Sequence, residues 1–117
     1  SAEITPGSYK QLAKIVNYIK KVEGLVDIQI VGHTDSSPIN KSTSNKFSNN
    51  WELSAARAGA VAKALEEYGI DAKYLKPSGV GSTRPLFPEI GLNGRHNAEN
   101  MRKNRRVHIK LKKRSSK

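Results

Sequence analysis

Three residues between Gly32 and Ala58 carry the chemistry that stands out in this 117-residue chain. Gly32-His33-Thr34-Asp35 follows a strand-like run, and Asn50-Trp51-Glu52-Leu53-Ser54-Ala55-Ala56-Arg57-Ala58 opens a helical one. Asp35, at the end of a strand, offers acceptor oxygens to an ammonium. Arg57, in the first turns of the next helix, offers a planar fork that holds a carboxylate bidentately. Asn50, one or two turns before Arg57, can donate and accept at a helix N-terminus, a favourable place for an anion. Brought together, the three form a two-signed clamp for a ligand with both an ammonium and a carboxylate. An aspartate and an arginine also make structural pairs in many folds, and spacing alone leaves that reading the commoner one.

Other chemistries are less well supplied. His33-x-Asp35 puts two metal-ligand types on one side of a strand, but no HxxxH or HxxE pair provides a third, and His96 and His108 lie far along the chain. His33 is expected to be a hydrogen-bonded structural residue beside a turn. His33, Asp35 and Ser54 make a hydrolytic triad on paper only, because no GxSxG elbow is present and Ser54 falls inside a helix, where a hydroxyl bonds back to the backbone. Gly79-Val80-Gly81 is not followed by the residues of a phosphate loop. The expectation is no catalytic residue, no metal and no cofactor.

The elements that must position the clamp are legible from periodicity. Thr5 as N-cap and Pro6 at the first helical position start a helix in which Leu12, Ile15, Val16, Ile19 and Val22 form one apolar stripe, and Gly24 stops it. Val26, Ile28 and Ile30 alternate with Asp27 and Gln29 through Val31, a strand that delivers His33, Thr34 and Asp35 at its C-terminal edge. Ser36 to Asn50 reads as a long loop containing Pro38, with Ile39 and Phe47 as its anchors, and its length favours a functional role. Asn49 or Asn50 caps a helix reaching about Tyr68, with Gly69 after it. Ile70 to Leu75 reads as a short helical turn feeding a strand near 76–80, followed by a loop from Leu86 to His96 and a helical turn from Ala98 to Lys103. From Arg106 to Lys112, Val107, Ile109 and Leu111 alternate inward against His108, Lys110 and Lys112 outward. The order implies an α/β fold with helices packed on a sheet.

Composition agrees with one domain: 36% hydrophobic and 26% charged residues, with no repeat. Residues 1–113 are expected to form it, with residues 114–117 as a frayed basic tail. No apolar run approaches the roughly 18–20 residues that cross a bilayer, no signal peptide stands at the start, and the chain reads as an excised domain. Without cysteine there is no disulfide framework. The net charge of +11 is unevenly spread. From Met101 onward there are nine Lys and Arg and no acid, whereas the first hundred residues hold twelve bases against ten acids. Such a stretch serves a polyanion, an anionic surface or a solvated edge alike. A basic nucleic-acid-binding module using this tail is the lesser alternative. Nucleic acid is not expected as the partner, since single-strand binders rely on an aromatic stacking surface and this chain has only one Trp, two Phe and four Tyr, mostly at core-like positions.

Four landmarks in order carry a family resemblance. Gly32-His33-Thr34-Asp35, then Asn50-x-x-Leu53-Ser54-x-x-Arg57-Ala58, then Gly79-x-Gly81, then Asn104-Arg105-Arg106-Val107 together resemble the OmpA C-terminal, or peptidoglycan-associated, domain family. The helix-opening segment, with Pro38 shortly after Asp35, is similar to the periplasmic domains of flagellar stator proteins of the MotB type and their sodium-driven relatives. The resemblance implies a sandwich with a mixed sheet, whose first family strand is missing before Ser1. It implies non-catalytic binding of peptidoglycan through diaminopimelate in the stem peptide, anchoring a membrane complex, the flagellar motor stator, to the wall. It places the ligand-binding aspartate at Asp35, the arginine at Arg57 and the motif asparagine at Asn50. Thr34 and Leu53 shape the pocket, and Asn104 or Arg106 borders it.

Diaminopimelate ends in an amino-acid zwitterion where lysine has an amine only, so Arg57 would tell them apart. The resemblance further implies a periplasmic domain of an inner-membrane-anchored protein, a homodimer, and a membrane-embedded stator A subunit as partner. The wall anchor of an outer-membrane protein, a lipoprotein or a secretion-system component would share the same ligand. The loop between Asp35 and Asn50 is longer than in short-looped members, and the basic C-terminus is no family requirement.

Overall fold

The computed structural model describes residues 6–37 and 49–114, with side chains from residue 10 onward. Thr5, the expected cap, and Pro38, Ile39 and Phe47 of the long loop lie outside the described residues. The elements run α1 (Pro6–Val22), β1 (Val26–Gly32), α2 (Asn50–Glu67), a 3-10 turn (Ala72–Tyr74), β2 (Leu75–Gly79), α3 (Ala98–Asn104) and β3 (Val107–Lys113). This is the alternation that the periodicities predict.

The sheet is mixed. β1 lies in the middle, parallel to β2 and antiparallel to β3. Register puts Ile28 opposite Leu75 and Leu111, and Ile30 opposite Pro77 and Ile109. Ile28 and Ile30 are therefore central on the helix-covered face, and both are fully buried. Leu12, Val16 and Ile19 of α1 and Ala58, Val61, Ala64 and Leu65 of α2 close the core with Ile70. Two expected core positions come out differently. Ile15 sits at the margin of the α1 stripe, and Leu111 is half-exposed because α2 lies over β1 and β2 while β3 is at the sheet's edge.

α2 approaches the sheet closely because two glycines face it. Gly32 and Gly79 are register partners on β1 and β2. A Cβ on Gly32 would lie 2.0 Å from the Ser54 carbonyl oxygen, and one on Gly79 would lie 2.3 Å from the Ala55 nitrogen. Ser54 is fully buried between them. Its hydroxyl donates to the Trp51 carbonyl at 3.0 Å, the backbone bonding expected of it, and accepts from the Gly81 N–H at 2.9 Å. Asn49 is the N-cap, accepting from the Glu52 N–H at 2.9 Å. At the other end Gly69 has φ of 100° and Ile70 N–H bonds to the Leu65 carbonyl, which brings Ile70 into the core. The first turns of α2, with Asn50 and Arg57, are thus held against the C-terminal end of β1.

Arg114, the first residue of the expected tail, is held. Its N–H bonds the Leu25 carbonyl at 3.0 Å, and its guanidinium lies 3.5 Å from Asp27 and over the Tyr74 ring. Among the described residues no helix is long and apolar enough to cross a membrane.

Candidate functional site

β1 ends at Gly32, but its ladders continue. His33 exchanges both backbone hydrogen bonds with Arg106, at 2.7 and 3.2 Å, and Thr34 N–H bonds the Gly81 carbonyl at 2.9 Å. His33, Thr34 and Asp35 are therefore fixed between the strand leading into β3 and the turn leaving β2, and all three are buried. Thr34 donates its hydroxyl to the Asp35 carbonyl at 3.0 Å.

The Asp35 carboxylate is 5% exposed as a residue and is held at both oxygens. Oδ1 accepts from the Ser37 N–H at 2.9 Å, and Oδ2 accepts from Arg105 Nη1 in an ion pair. Asn50 Nδ2 bridges the same turn, donating to the Asp35 carbonyl at 3.3 Å and the Ser37 carbonyl at 3.0 Å. The motif asparagine thus braces the loop that presents Asp35, from the first position of α2. Leu53 is half-buried one turn further along.

The arginine bonded to Asp35 is Arg105; the sequence reading set Asp35 and Arg57 as the two ends of a clamp and considered only Arg57 as a structural partner of Asp35. Arg57 is half-buried and near enough for both charges to act on it. Burial and the neighbouring Arg105 guanidinium lower its pKa, and Asp35 opposes them. Among the described residues none makes a hydrogen bond or ion pair with Arg57. Both guanidiniums therefore act on one buried carboxylate, but only Arg105 bonds it.

The flanking arginine and asparagine have other work. Arg106 donates from Nε to His108 Nε2 at 3.0 Å, from Nη1 to the Asn104 carbonyl at 3.2 Å and from Nη2 to the Arg84 carbonyl at 3.1 Å. His108, expected to point to solvent, is half-buried on that outer face, its ring edge-to-face with His33 at 5.2 Å. His33 is hydrogen-bonded through its backbone, but its ring Nδ1 is buried without a partner among the described residues. Asn104 is fully buried, accepting at Oδ1 from the Leu86 and Phe87 N–H groups and donating from Nδ2 to the Phe87 carbonyl and to Glu89.

Sequence reasoning passed over Arg105 and Glu89. Arg105 had a signal, in the run Asn104-Arg105-Arg106 ahead of a strand, but only the antiparallel β1–β3 register shows that this run returns to the end of β1. Glu89 sits in an aperiodic loop and had none. Glu89 Oε1 accepts from Ser36 N–H at 3.0 Å and from Ser36 Oγ at 2.5 Å, beside Asp35. Among the described residues no group of three or more His, Asp or Glu side chains is arranged to hold a metal.

Over 98 residues the chain is 39% identical to Motility protein B of Helicobacter pylori strain J99, covering 84% of this chain and 35% of that one. It therefore spans about a third of the length of that curated relative. The crystallised C-terminal domain of Helicobacter pylori MotB superposes with a TM-score of 0.83 at 33% identity, covering 98% of this chain and 80% of that one. The cell wall anchor of the type VI secretion system (T6SS) of Pseudomonas aeruginosa superposes at 0.80 with 29% identity, covering 97% and 72%. The OmpA family pattern matches residues 1–104, a span containing Asp35, Asn50, Arg57 and Asn104, and the chain belongs to the OmpA family.

Proposed function

We propose that this domain binds peptidoglycan without catalysis, gripping the zwitterionic end of diaminopimelate in the stem peptide, and so anchors a membrane complex to the wall. The observation that carries this reading is the Arg57 guanidinium, half-buried near the Asp35–Arg105 ion pair and without a hydrogen-bonding partner among the described residues. A half-buried guanidinium without an acceptor is costly, and a ligand carboxylate removes that cost. Each Asp35 oxygen accepts one hydrogen bond within the protein and retains capacity for a second, which suits an ammonium. In this reading Asn50 holds the Asp35 turn in place, Thr34 and Leu53 shape the pocket, and Asn104 and Arg106 border it from beneath.

The likeness to MotB supports the flagellar stator as the anchored machine. On that reading the domain is periplasmic, belongs to an inner-membrane-anchored protein, works as a homodimer and partners a membrane-embedded stator A subunit. The likeness to a secretion-system wall anchor supports a second reading, in which the ligand is the same and the machine differs.

Sedimentation with purified sacculi tests the ligand. Wild type is expected to co-sediment with diaminopimelate-containing walls and much less with lysine-containing ones. Asp35→Ala and Arg57→Ala are expected to stay in the supernatant with unchanged circular dichroism. Co-sedimentation of both variants at the wild-type level would rule the clamp out.

A further inference from the structure

We propose that Glu89 is a positioning residue of this same site: it ties the loop before α3 to the Asp35 turn and so fixes where Asp35 and Arg105 stand relative to each other. The proposal rests on the wall-binding reading above and assigns a role to a segment outside the matched landmarks.

The bonding pattern leaves little alternative at this position. The Asn104 amide is fully committed: Oδ1 takes two backbone N–H groups, and one Nδ2 hydrogen goes to the Phe87 carbonyl at 2.9 Å. Its orientation is therefore set, and the second Nδ2 hydrogen points at Glu89 Oε2, 2.8 Å away. At the other end of the carboxylate, Oε1 faces the N–H and hydroxyl of Ser36. Every group meeting Glu89 is a donor, so only a side chain that accepts at both oxygens satisfies both ends. Glutamine has the same shape but one acceptor, and it must set its own NH₂ against a donor.

The two ends matter because of their neighbours in the chain. Ser36 is bonded to Asp35, and Asn104 is bonded to Arg105. Glu89 thus links the chain neighbours of the ion-paired carboxylate and guanidinium without touching either by hydrogen bond. Burial and the neighbouring Asp35 charge push the Glu89 carboxyl up, but the hydrogen bonds from Ser36 and Asn104 outweigh them and hold the pKa below the ordinary value, so the bridge stays ionised near neutral pH. The ligand ammonium is to meet Asp35, so the turn that presents Asp35 must be held in place, which is what this bridge and the Arg105 ion pair together provide.

The test uses the domain as it stands, with purified diaminopimelate-containing sacculi as the probe. Glu89→Gln is expected to bind roughly tenfold more weakly, about 1.4 kcal/mol, with circular dichroism unchanged. In wild type the Ser36 amide resonance is expected to shift on acidification at a pH below the ordinary glutamate range, and in Glu89→Gln that transition is absent. Neither change follows from a general loss of stability. If Glu89→Gln fails to fold, Ser36→Ala removes one of the three donors and is expected to bind severalfold more weakly while staying folded. Wild-type affinity in Glu89→Gln or Ser36→Ala, alongside lost binding in Asp35→Ala, overturns the Glu89 role and leaves the clamp standing. Failure of wild type itself to sediment overturns the wall-binding reading, and this role with it.

Discussion

Asp35 is paired with Arg105 across 70 residues of chain. Arg57, in the helix that follows Asp35 directly, stands beside that pair without joining it. The two arginines therefore divide the tasks that one would otherwise perform. Arg105 neutralises a carboxylate already taken out of water, and in the wall-binding reading proposed above Arg57 is left for the ligand.

That division predicts a split between stability and binding. The Asp35 side chain is 7% exposed and that of Arg105 is 42% exposed, so Arg105→Ala strands a buried charge that had been screened in part by solvent. The expected loss is about 1–2 kcal/mol in urea unfolding. Arg57→Ala removes no hydrogen bond and relieves the unpartnered guanidinium, so stability is expected to stay level or rise by about 0.5 kcal/mol. Both substitutions are expected to abolish sacculus binding. Equal destabilisation by the two would mean that Arg57 is a structural partner of Asp35 after all.

The glycines beneath α2 give a second, purely steric prediction. Gly32→Ala places a Cβ 2.0 Å from a backbone carbonyl oxygen, and Gly79→Ala places one 2.3 Å from a backbone nitrogen. Neither obstacle is a flexible side chain, so the helix must lift from the sheet, at a cost of about 3 kcal/mol. Gly59, in the same helix, has nothing within 4 Å of an added Cβ. Gly59→Ala is expected to stabilise by about 0.5–1 kcal/mol through helix propensity. Chemical denaturation of the three variants in parallel checks the sign of each. Because α2 carries Asn50 and Arg57, lifting it should also weaken wall binding, whereas Gly59→Ala should leave binding alone.

The contrast between Arg57 and Arg105 also shows where sequence reasoning reaches its limit. Asp35, Asn50 and Arg57 lie on one strand–loop–helix unit, so period-2 and period-3.6 patterns place them near one another without any long-range knowledge. Val107, Ile109 and Leu111 identify their strand equally well. Yet alternation does not say which neighbour that strand has, or in which register. Only the pairing of Gly32 with Val107, and of His33 with Arg106 beyond it, swings Arg105 over Asp35. Glu89 lies further from reach, because its loop has no periodicity and its partners are a turn serine and a buried asparagine. His108 was placed on the correct face of β3, but its burial there depends on His33, a residue beyond the end of a different strand.

The paired histidines make the last prediction, on pH. His33 is buried, and burial together with the charges of Arg106, His108, Lys110 and Arg84 lowers its pKa from 6.5 to about 4. His108 is lowered in the same direction by burial, Arg106 and Lys110. Between about 4 and 6.5 the unfolded chain takes up a proton at His33 that the fold refuses, and His108 acts in the same direction. Stability therefore falls as pH drops through that interval and is flat above it as far as these groups are concerned. Glu89 acts in a lower range, since its depressed pKa contributes stability that is lost only below the ordinary glutamate value. Thermal melting at pH 7 and pH 4.5 is expected to show a clear fall in the wild-type midpoint and a smaller one in His33→Gln, which cannot titrate. An identical fall in the two proteins would mean that the acid sensitivity belongs to other groups and that His33 accepts its proton without strain.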